Sequence, residues 1–278
     1  MKNSFMTKYL PAFIFILISL ISCQKDDPFD REPDPLDTAN LLFDSCRIKT
    51  AHYYGGGGIH DTANYIYDVS GKLIRIEGER DKNVVYHYSA NRIVAMEYFE
   101  MPGNELYGVD SLFYINDTTV SKVVSHSYDL FFQDTFHTVT NFNYTGNRLT
   151  SVVTTENMQG VPEADTLISN MHYTGDNITM LTMESTSWAG DTIWYQYDNQ
   201  PNYFRNVSKS FFLADPFFRL HVGFEPHLPY FLSRNNVTQF TIYSNIDYPI
   251  EYQLDSLQHP VLVSQSSFEY MGYDYECP

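Results

Sequence analysis

The feature that most constrains this chain is a unit that keeps returning along it: a short run ending in tyrosine, a tight turn, then a run of Val, Ile, Leu and Thr. Tyr65, Ile66, Tyr67 and Asp68 lead through Val69, Ser70 and Gly71 into Lys72, Leu73, Ile74, Arg75 and Ile76. The same order returns at 85–88 with a turn at 89–91 and a run at 92–96, and at 112–115 with a turn at Asn116 and Asp117. It returns again at 142–144 before Gly146 and Asn147, at 171–173 before Gly175 and Asp176, and begins once more at 194–198. With Gly71, Asn91, Asp117, Gly146, Gly175 and Asn199 as markers, the spacings are 20, 26, 29, 29 and 24 residues. Alternating apolar runs punctuated by turn residues read as strand, turn, strand. A unit of this length with two turns leaves strands of roughly 8 to 12 residues, longer than the usual ~5–6. No stretch has helical periodicity with caps. The chain is therefore expected to be all-β: a long-stranded antiparallel meander of tyrosine-rich hairpins, forming a curled sheet or a partly open barrel.

The pattern runs from about residue 41 to 278, which reads as a single β domain. It returns at 248–254, 260–263 and 268–275 after an irregular aromatic segment near 199–240. There Pro201, Pro216, Pro226 and Pro229 disrupt ladders, and Phe211, Phe212, Phe217, Phe218 and Phe224 read as a plug or lid. The 23 Tyr and 20 Phe supply apolar area for a sizeable core.

The amino terminus has a separate character. Lys2 and Lys8 precede an apolar run from Leu10 to Leu20 that is interrupted by Pro11 and closes with Leu20, Ile21, Ser22 and Cys23. The run is shorter than the ~20 residues that span a bilayer, so 1–22 read as a cleavable signal peptide. The closing four residues resemble the lipobox of bacterial lipoproteins, which implies acylation of Cys23 and a lipid anchor in a membrane, where each buried CH₂ contributes ~0.8 kcal/mol. Residues 23–40 carry Pro28, Pro33 and Pro35 among the acids Asp26, Asp27, Asp30, Glu32, Asp34 and Asp37, and read as an extended acidic tether. Lys25 followed by two acids resembles the signal that sends lipoproteins of some Gram-negative bacteria to the outer face of the outer membrane. An outer-membrane, exterior-facing location is expected, with a periplasm-facing anchor as the alternative.

The chain has a formal net charge of −17. Beyond the first 22 residues, 15 Lys and Arg stand against 34 Asp and Glu, which disfavours nucleic acid as a partner because such affinity rests on Lys and Arg meeting phosphates. Apart from Cys23, the cysteines are Cys46 and Cys277, at the two ends of the domain. An even remainder in an exported protein points to a disulfide. Closing a loop of 230 residues, it would contribute on the order of 5 kcal/mol in the loop-entropy account. Its structural corollary is that the first and last strands lie side by side; two free buried thiols are the alternative.

The unit at 65–76 looks like the YD repeats of bacterial surface and shell proteins, later copies keeping the tyrosine and turn but losing the Asp. Together, the lipobox, the acidic tether, the tyrosine hairpins, the run from Asp198 to Asn202, the run from Asn235 to Thr238 and the terminal Tyr275, Glu276 and Cys277 resemble an uncharacterised family of outer-membrane lipoproteins with a porin-like β domain of unknown function. The resemblance implies a long-stranded sheet curled toward a barrel and no chemistry. A barrel that itself spans lipid is not expected, because Lys72, Arg75 and Glu77 interrupt any clean apolar band.

Catalytic motifs are wanting. There is no G-x-S-x-G and no H-E-x-x-H, the one Ser-x-x-Lys straddles Ser22 and Lys25, and the four glycines 55–58 precede no Lys-Ser/Thr. No metal or cofactor is expected. Trp188 and Trp194, the two tryptophans, flank Asp191; aromatic planes beside a carboxylate suit a sugar ring, although rim or core tryptophans around a turn fit the same residues. Asp followed by Ser or Thr and then a small or aliphatic residue recurs at Thr38, Thr62, Ser111, Thr118, Thr166, Thr192 and Ser256, resembling an O-glycosylation acceptor; turn and strand preferences alone also generate it. Three readings follow: a non-catalytic, lipid-anchored surface protein that binds a glycan or protein; a carrier or chaperone for an apolar ligand inside an open barrel; and a carboxylate-dependent glycosidase. The first is preferred, and the protein is not expected to be an enzyme.

Overall fold

The structure is a computed structural model. It describes residues 42–43, 46–55, 59–78, 82–100, 104–116, 119–129, 134–158, 165–186, 190–202, 229, 232–242, 246–256, 259–264 and 270–276. The signal peptide, Cys23 and the tether lie outside them.

All the strands belong to one antiparallel sheet. They are β1 (Leu42–Phe43), β2 (Cys46–Gly55), β3 (Ile59–Tyr67), β4 (Leu73–Gly78), β5 (Lys82–Ser89) and β6 (Arg92–Glu100). Next come β7 (Glu105–Tyr114), β8 (Val120–Asp129), β9 (Asp134–Thr145), β10 (Arg148–Met158), β11 (Asp165–Thr174) and β12 (Asn177–Ser185). The last are β13 (Asp191–Pro201), β14 (Asn235–Ile242), β15 (Ile246–Pro249), β16 (Glu251–Leu254), β17 (Pro260–Ser264) and β18 (Tyr270–Glu276). From β2 to β15 each strand pairs with the next in sequence, as do β16, β17 and β18, and β18 pairs back onto β2. The result is an almost closed barrel. Its seam lies at Ile250, where one strand is broken in two: among the described residues β15 pairs only with β14, and β16 only with β17. Ile250 bridges the break by donating its N–H to the carbonyl of Thr238 at 2.8 Å.

One face of the sheet is shielded from water. It carries the apolar residue that opens each even strand (Ile48, Leu73, Ile93, Val120, Leu149, Ile178), the residue three further on (Ala51, Ile76, Met96, Val123, Val152, Leu181), and the residue two before each closing tyrosine (Tyr65, Tyr86, Leu112, Phe142, Met171, Tyr195). A spacing of three on one face breaks strict strand alternation, and a bulge explains it. Tyr67 pairs with Leu73 while Ile66 pairs with Arg75, leaving Ile74 as an extra residue turned to solvent. The same slip inserts Val94, Ser121, Thr150 and Thr179 in the next four hairpins. A bulge of this kind adds twist and re-aims side chains, so Leu73 and Ile76 both point inward, whereas Arg75 and Glu77 share the outer face.

Between hairpins the ladder stops short. The last pair between β2 and β3 is Thr50 with Asn64, and the last between β6 and β7 is Ala95 with Ser111. Tyrosine fills each gap. Tyr67 Oη donates to the carbonyl of Ile48 at 2.8 Å, Tyr88 to Leu73 at 2.7 Å, Tyr114 to Ile93 at 2.6 Å, Tyr144 to Val120 at 2.9 Å and Tyr173 to Leu149 at 2.8 Å. Tyr197 does the same to Ile178, Tyr252 to Val237 at 3.0 Å and Tyr275 to Pro260 at 2.8 Å. A buried carbonyl without a partner costs about 1–3 kcal/mol, and these eight phenols meet that need around one rim. A cation precedes four of the acceptors and lies over the same ring: Arg47 over Tyr67 at 4.6 Å, Lys72 over Tyr88 and Arg92 over Tyr114 at 5.5 Å, and Arg148 over Tyr173 at 5.4 Å.

The turns at this rim differ in chemistry while serving one geometry. In the first, the Asp68 carboxylate accepts from the Ser70 N–H at 2.8 Å, the Ser70 hydroxyl at 2.7 Å and the Lys72 N–H at 2.9 Å; these bonds, the hydroxyl first, hold its pKa below the usual 3.8. The second turn needs a left-handed residue and has Ala90 at φ 55°, where the fourth and fifth use Gly146 and Gly175 at 59° and 60°. Between β13 and β14, strand extends further than the proline-rich sequence predicts, for β13 runs to Pro201 and β14 starts at Asn235, both inside the segment read as irregular. Phe211, Phe212, Phe217, Phe218 and Phe224 lie outside the described residues, whereas Phe240, on β14, is buried.

Candidate functional site

The outer face, opposite the buried one, mixes charged and polar residues with aliphatic and aromatic ones. Arg75, Glu77, Glu97, Lys122, His126, Asn141 and Asn143 stand on it, where a lipid-facing barrel presents an apolar band. Trp194, on β13, is 38% exposed on this face. Its cross-strand neighbours are Met180 on β12 and Thr241 on β14. Thr241 in turn faces Asp247 on β15 and donates its hydroxyl to that carboxylate at 2.6 Å. Gln196 and Gln239 form the adjacent pair on the same face. The row Met180, Trp194, Thr241, Asp247 therefore sets one exposed indole beside a hydroxyl, a carboxylate and two amides. Such a surface can stack on the C–H face of a sugar and hydrogen-bond its hydroxyls.

Of the residues expected to form such a site, Trp194 takes that place. Asp191 does not join it. The pairing of Asp191 with Met183, Ile193 with Leu181 and Trp194 with Met180 runs without a slip, so Asp191 alternates onto the face of the buried Ile193, opposite Trp194. Its carboxylate accepts the N–H of Thr192 at 2.7 Å. Trp188 lies outside the described residues; Gly190, before β13, takes φ 80°, where a Cβ would clash with the carbonyl of Met183. The acid in the row of Trp194 is instead Asp247, two strands over and more than fifty positions away in sequence, which the β14–β15 register places next to Thr241. No local motif marked it.

The Asp-Ser/Thr positions separate by exposure. Thr62 is buried at 7%; Ser111, Thr166 and Thr192 are half-buried; Ser256 is exposed in the turn between β16 and β17. Thr38 and Thr118 lie outside the described residues. The same holds for Cys277 and for the side chain of Cys46, yet β2, which begins at Cys46, and β18, which ends at Glu276, are neighbours: Glu276 pairs with Arg47, and their side chains form an ion pair at 2.9 Å. Among the described residues no group of three or more His, Cys, Asp or Glu is placed to share a metal ion, and no helix is long and apolar enough to cross a membrane.

No protein-family model matches the sequence, and no curated protein does. Among solved structures, a porin-like protein from Bacteroides uniformis matches with a TM-score of 0.54 at 12% identity, over 82% of this chain and 96% of that one. The two share a fold. A porin-like protein from Bacteroides vulgatus matches at a TM-score of 0.43 and 10% identity, over 82% and 98% of the two chains. The TcdB2–TccC3–Cdc42 complex matches at 0.38 and 14%, over 80% of this chain and 12% of that one. The porin-like likeness agrees with the long-stranded, barrel-forming sheet expected from the tyrosine hairpins.

Proposed function

We propose that the protein is a non-catalytic, lipid-anchored β protein of the outer membrane, exposed to the exterior, whose outer face binds a glycan at Trp194. The observation that carries the binding reading is the exposed indole set in register beside Thr241, Asp247, Gln196 and Gln239. A single ring with flanking polar groups gives shallow, weak binding, in keeping with a surface protein that gains by presenting many copies to a repeating polymer. The lipid anchor rests on the sequence around Cys23, and the charged outer face supports a domain that stands outside the bilayer.

The test is a titration of the full chain with a panel of neutral and acidic oligosaccharides, followed by tryptophan fluorescence and calorimetry. Wild-type protein is expected to saturate with at least one of them, Trp194→Ala to lose that binding, and Trp194→Phe to keep part of it. Unaltered binding by Trp194→Ala, or an inert wild-type protein, rejects the site. Mass spectrometry of the membrane-extracted protein checks the anchor separately, because acylation at Cys23 adds its mass to the chain that begins there.

A further inference from the structure

His126 and His137 lie on β8 and β9, apart from the strands β12 to β15 that carry the site at Trp194. They occupy directly opposed positions on β8 and β9, and their ring centroids lie 4.5 Å apart with planes inclined at 36°. Both are on the outer face, His126 exposed and His137 half-buried. Other histidines are engaged: His52 with Asp274, His87 with Glu97 and His259 with Asp255, all at 3.0 Å, and His172 with Thr182 at 3.4 Å. No described residue hydrogen-bonds a ring nitrogen of His126 or His137. Their cross-strand neighbours are Val109 on β7 and Asn157 on β10, and along their own strands the outer face continues with Val124 and Val139, so these described neighbours carry no charge.

We propose that His126 and His137 form a two-imidazole site for a divalent transition ion of the Ni²⁺ or Cu²⁺ kind. The spacing decides the class. A metal sits ~2.0–2.1 Å from an imidazole nitrogen, hence about 3 Å from the ring centre, and two centroids 4.5 Å apart then subtend an angle of about 90° at the ion. That is the angle between adjacent ligands of tetragonal or octahedral Cu²⁺ and Ni²⁺, both well served by imidazole. Rotation about χ2, which is broad for histidine, brings one nitrogen of each ring toward the shared position. Water completes the coordination, Asn157 lies next in the row, and the net negative charge of the chain raises the local concentration of cations. The site binds an ion by chelation and requires no electron transfer. Sequence gave no sign of it, because the two histidines are eleven residues apart and only the β8–β9 register opposes them.

The experiment is a titration of the untagged full chain with NiCl₂, following imidazole NMR signals and heat. One saturable site is expected in which His126 and His137 signals broaden first. His126→Asn and His137→Asn are each expected to weaken it at least about tenfold, and the control His172→Asn to leave it unchanged, all three keeping the wild-type circular dichroism spectrum. Binding that survives both substitutions, or that weakens equally in His172→Asn, overturns the site, as does a wild-type protein that takes up no Ni²⁺.

Discussion

Tyr275, in the last strand, pairs with Ile48 of β2 across a bulge that leaves Lys49 unpaired, repeating between the two ends of the domain the relationship that Tyr67 has with Leu73 inside a hairpin. Ile48 also accepts the phenol of Tyr67, so the first carbonyl of the series is met in the same way as the rest. The repeat closes on itself: each phenol reaches back to the strand before it, and the bulge hands the next carbonyl forward. This argues that the sheet is held at one rim by a set of equivalent bonds.

Removing one of these bonds tests their worth. Tyr88→Phe keeps the ring and its contact with Lys72 but leaves the carbonyl of Leu73 without its 2.7 Å partner. A loss of about 1–2 kcal/mol is expected, read as a lower urea midpoint at unchanged slope. The exposed Tyr128→Phe, on the outer face, serves as the control and should stay within about 0.5 kcal/mol of wild type.

The same burial predicts how the fold responds to alkali. Burial pushes the phenols of Tyr114 and Tyr173 up to about 12, and those of Tyr88, Tyr144 and Tyr197 higher still. An unfolded tyrosine ionises near ~10. Between these values the unfolded chain gives up protons that the folded chain keeps, so stability falls as pH rises. The contribution is complete below about pH 10 and is lost progressively toward pH 12 and beyond. Urea midpoints across that interval should decline while the circular dichroism spectrum without urea holds, and phenolate absorbance should then appear together with unfolding. Ionisation of most tyrosines in a still-folded chain contradicts the buried phenol rim.

Much of this arrangement is legible in the sequence. The tyrosine, the turn and the apolar residue that opens the next strand stand within a few positions of one another, and they yield the all-β hairpins and the strand lengths, while the two terminal cysteines point to the adjacency of the first and last strands. The bulges are not legible, because an extra residue is defined by the partner strand and not by its own side chain: Ser121, Thr150 and Thr179 bring a hydroxyl, Ile74 and Val94 an aliphatic chain. Strict alternation therefore sets Leu73 and Ile76 on opposite faces, whereas the structure buries both on one. The Trp194 site shows the same limit. Sequence distance favours Asp191, three positions away, and strand alternation turns it to the opposite face, while Asp247 arrives by register.

Two adjacent residues distinguish the bulge from plain alternation. Leu73 is fully buried and Ile74 is 37% exposed. Leu73→Ala is expected to cost about 2–5 kcal/mol through lost burial and the cavity left behind, and Ile74→Ala to change stability by no more than about 0.5 kcal/mol. Comparable losses at both positions, measured by thermal and urea unfolding, contradict the assigned bulge.

The closing pair of strands makes a covalent prediction. Arg47 and Glu276 are register partners joined by an ion pair. Cys46 precedes one of them in the chain and Cys277 follows the other, and in an oxidising compartment the two are expected to form a disulfide. The bond would tie the ends of the barrel at the junction where β18 meets β2, which no turn connects. Intact mass before and after reduction and alkylation should show two cysteines protected from alkylation until reductant is added. Cys46→Ser and Cys277→Ser should each lower the melting temperature by the same amount, with the double substitution no worse than either, because one bond is lost in all three cases. Two thiols that alkylate without reductant in protein isolated from an oxidising compartment would leave the junction to backbone pairing and the Arg47–Glu276 ion pair alone.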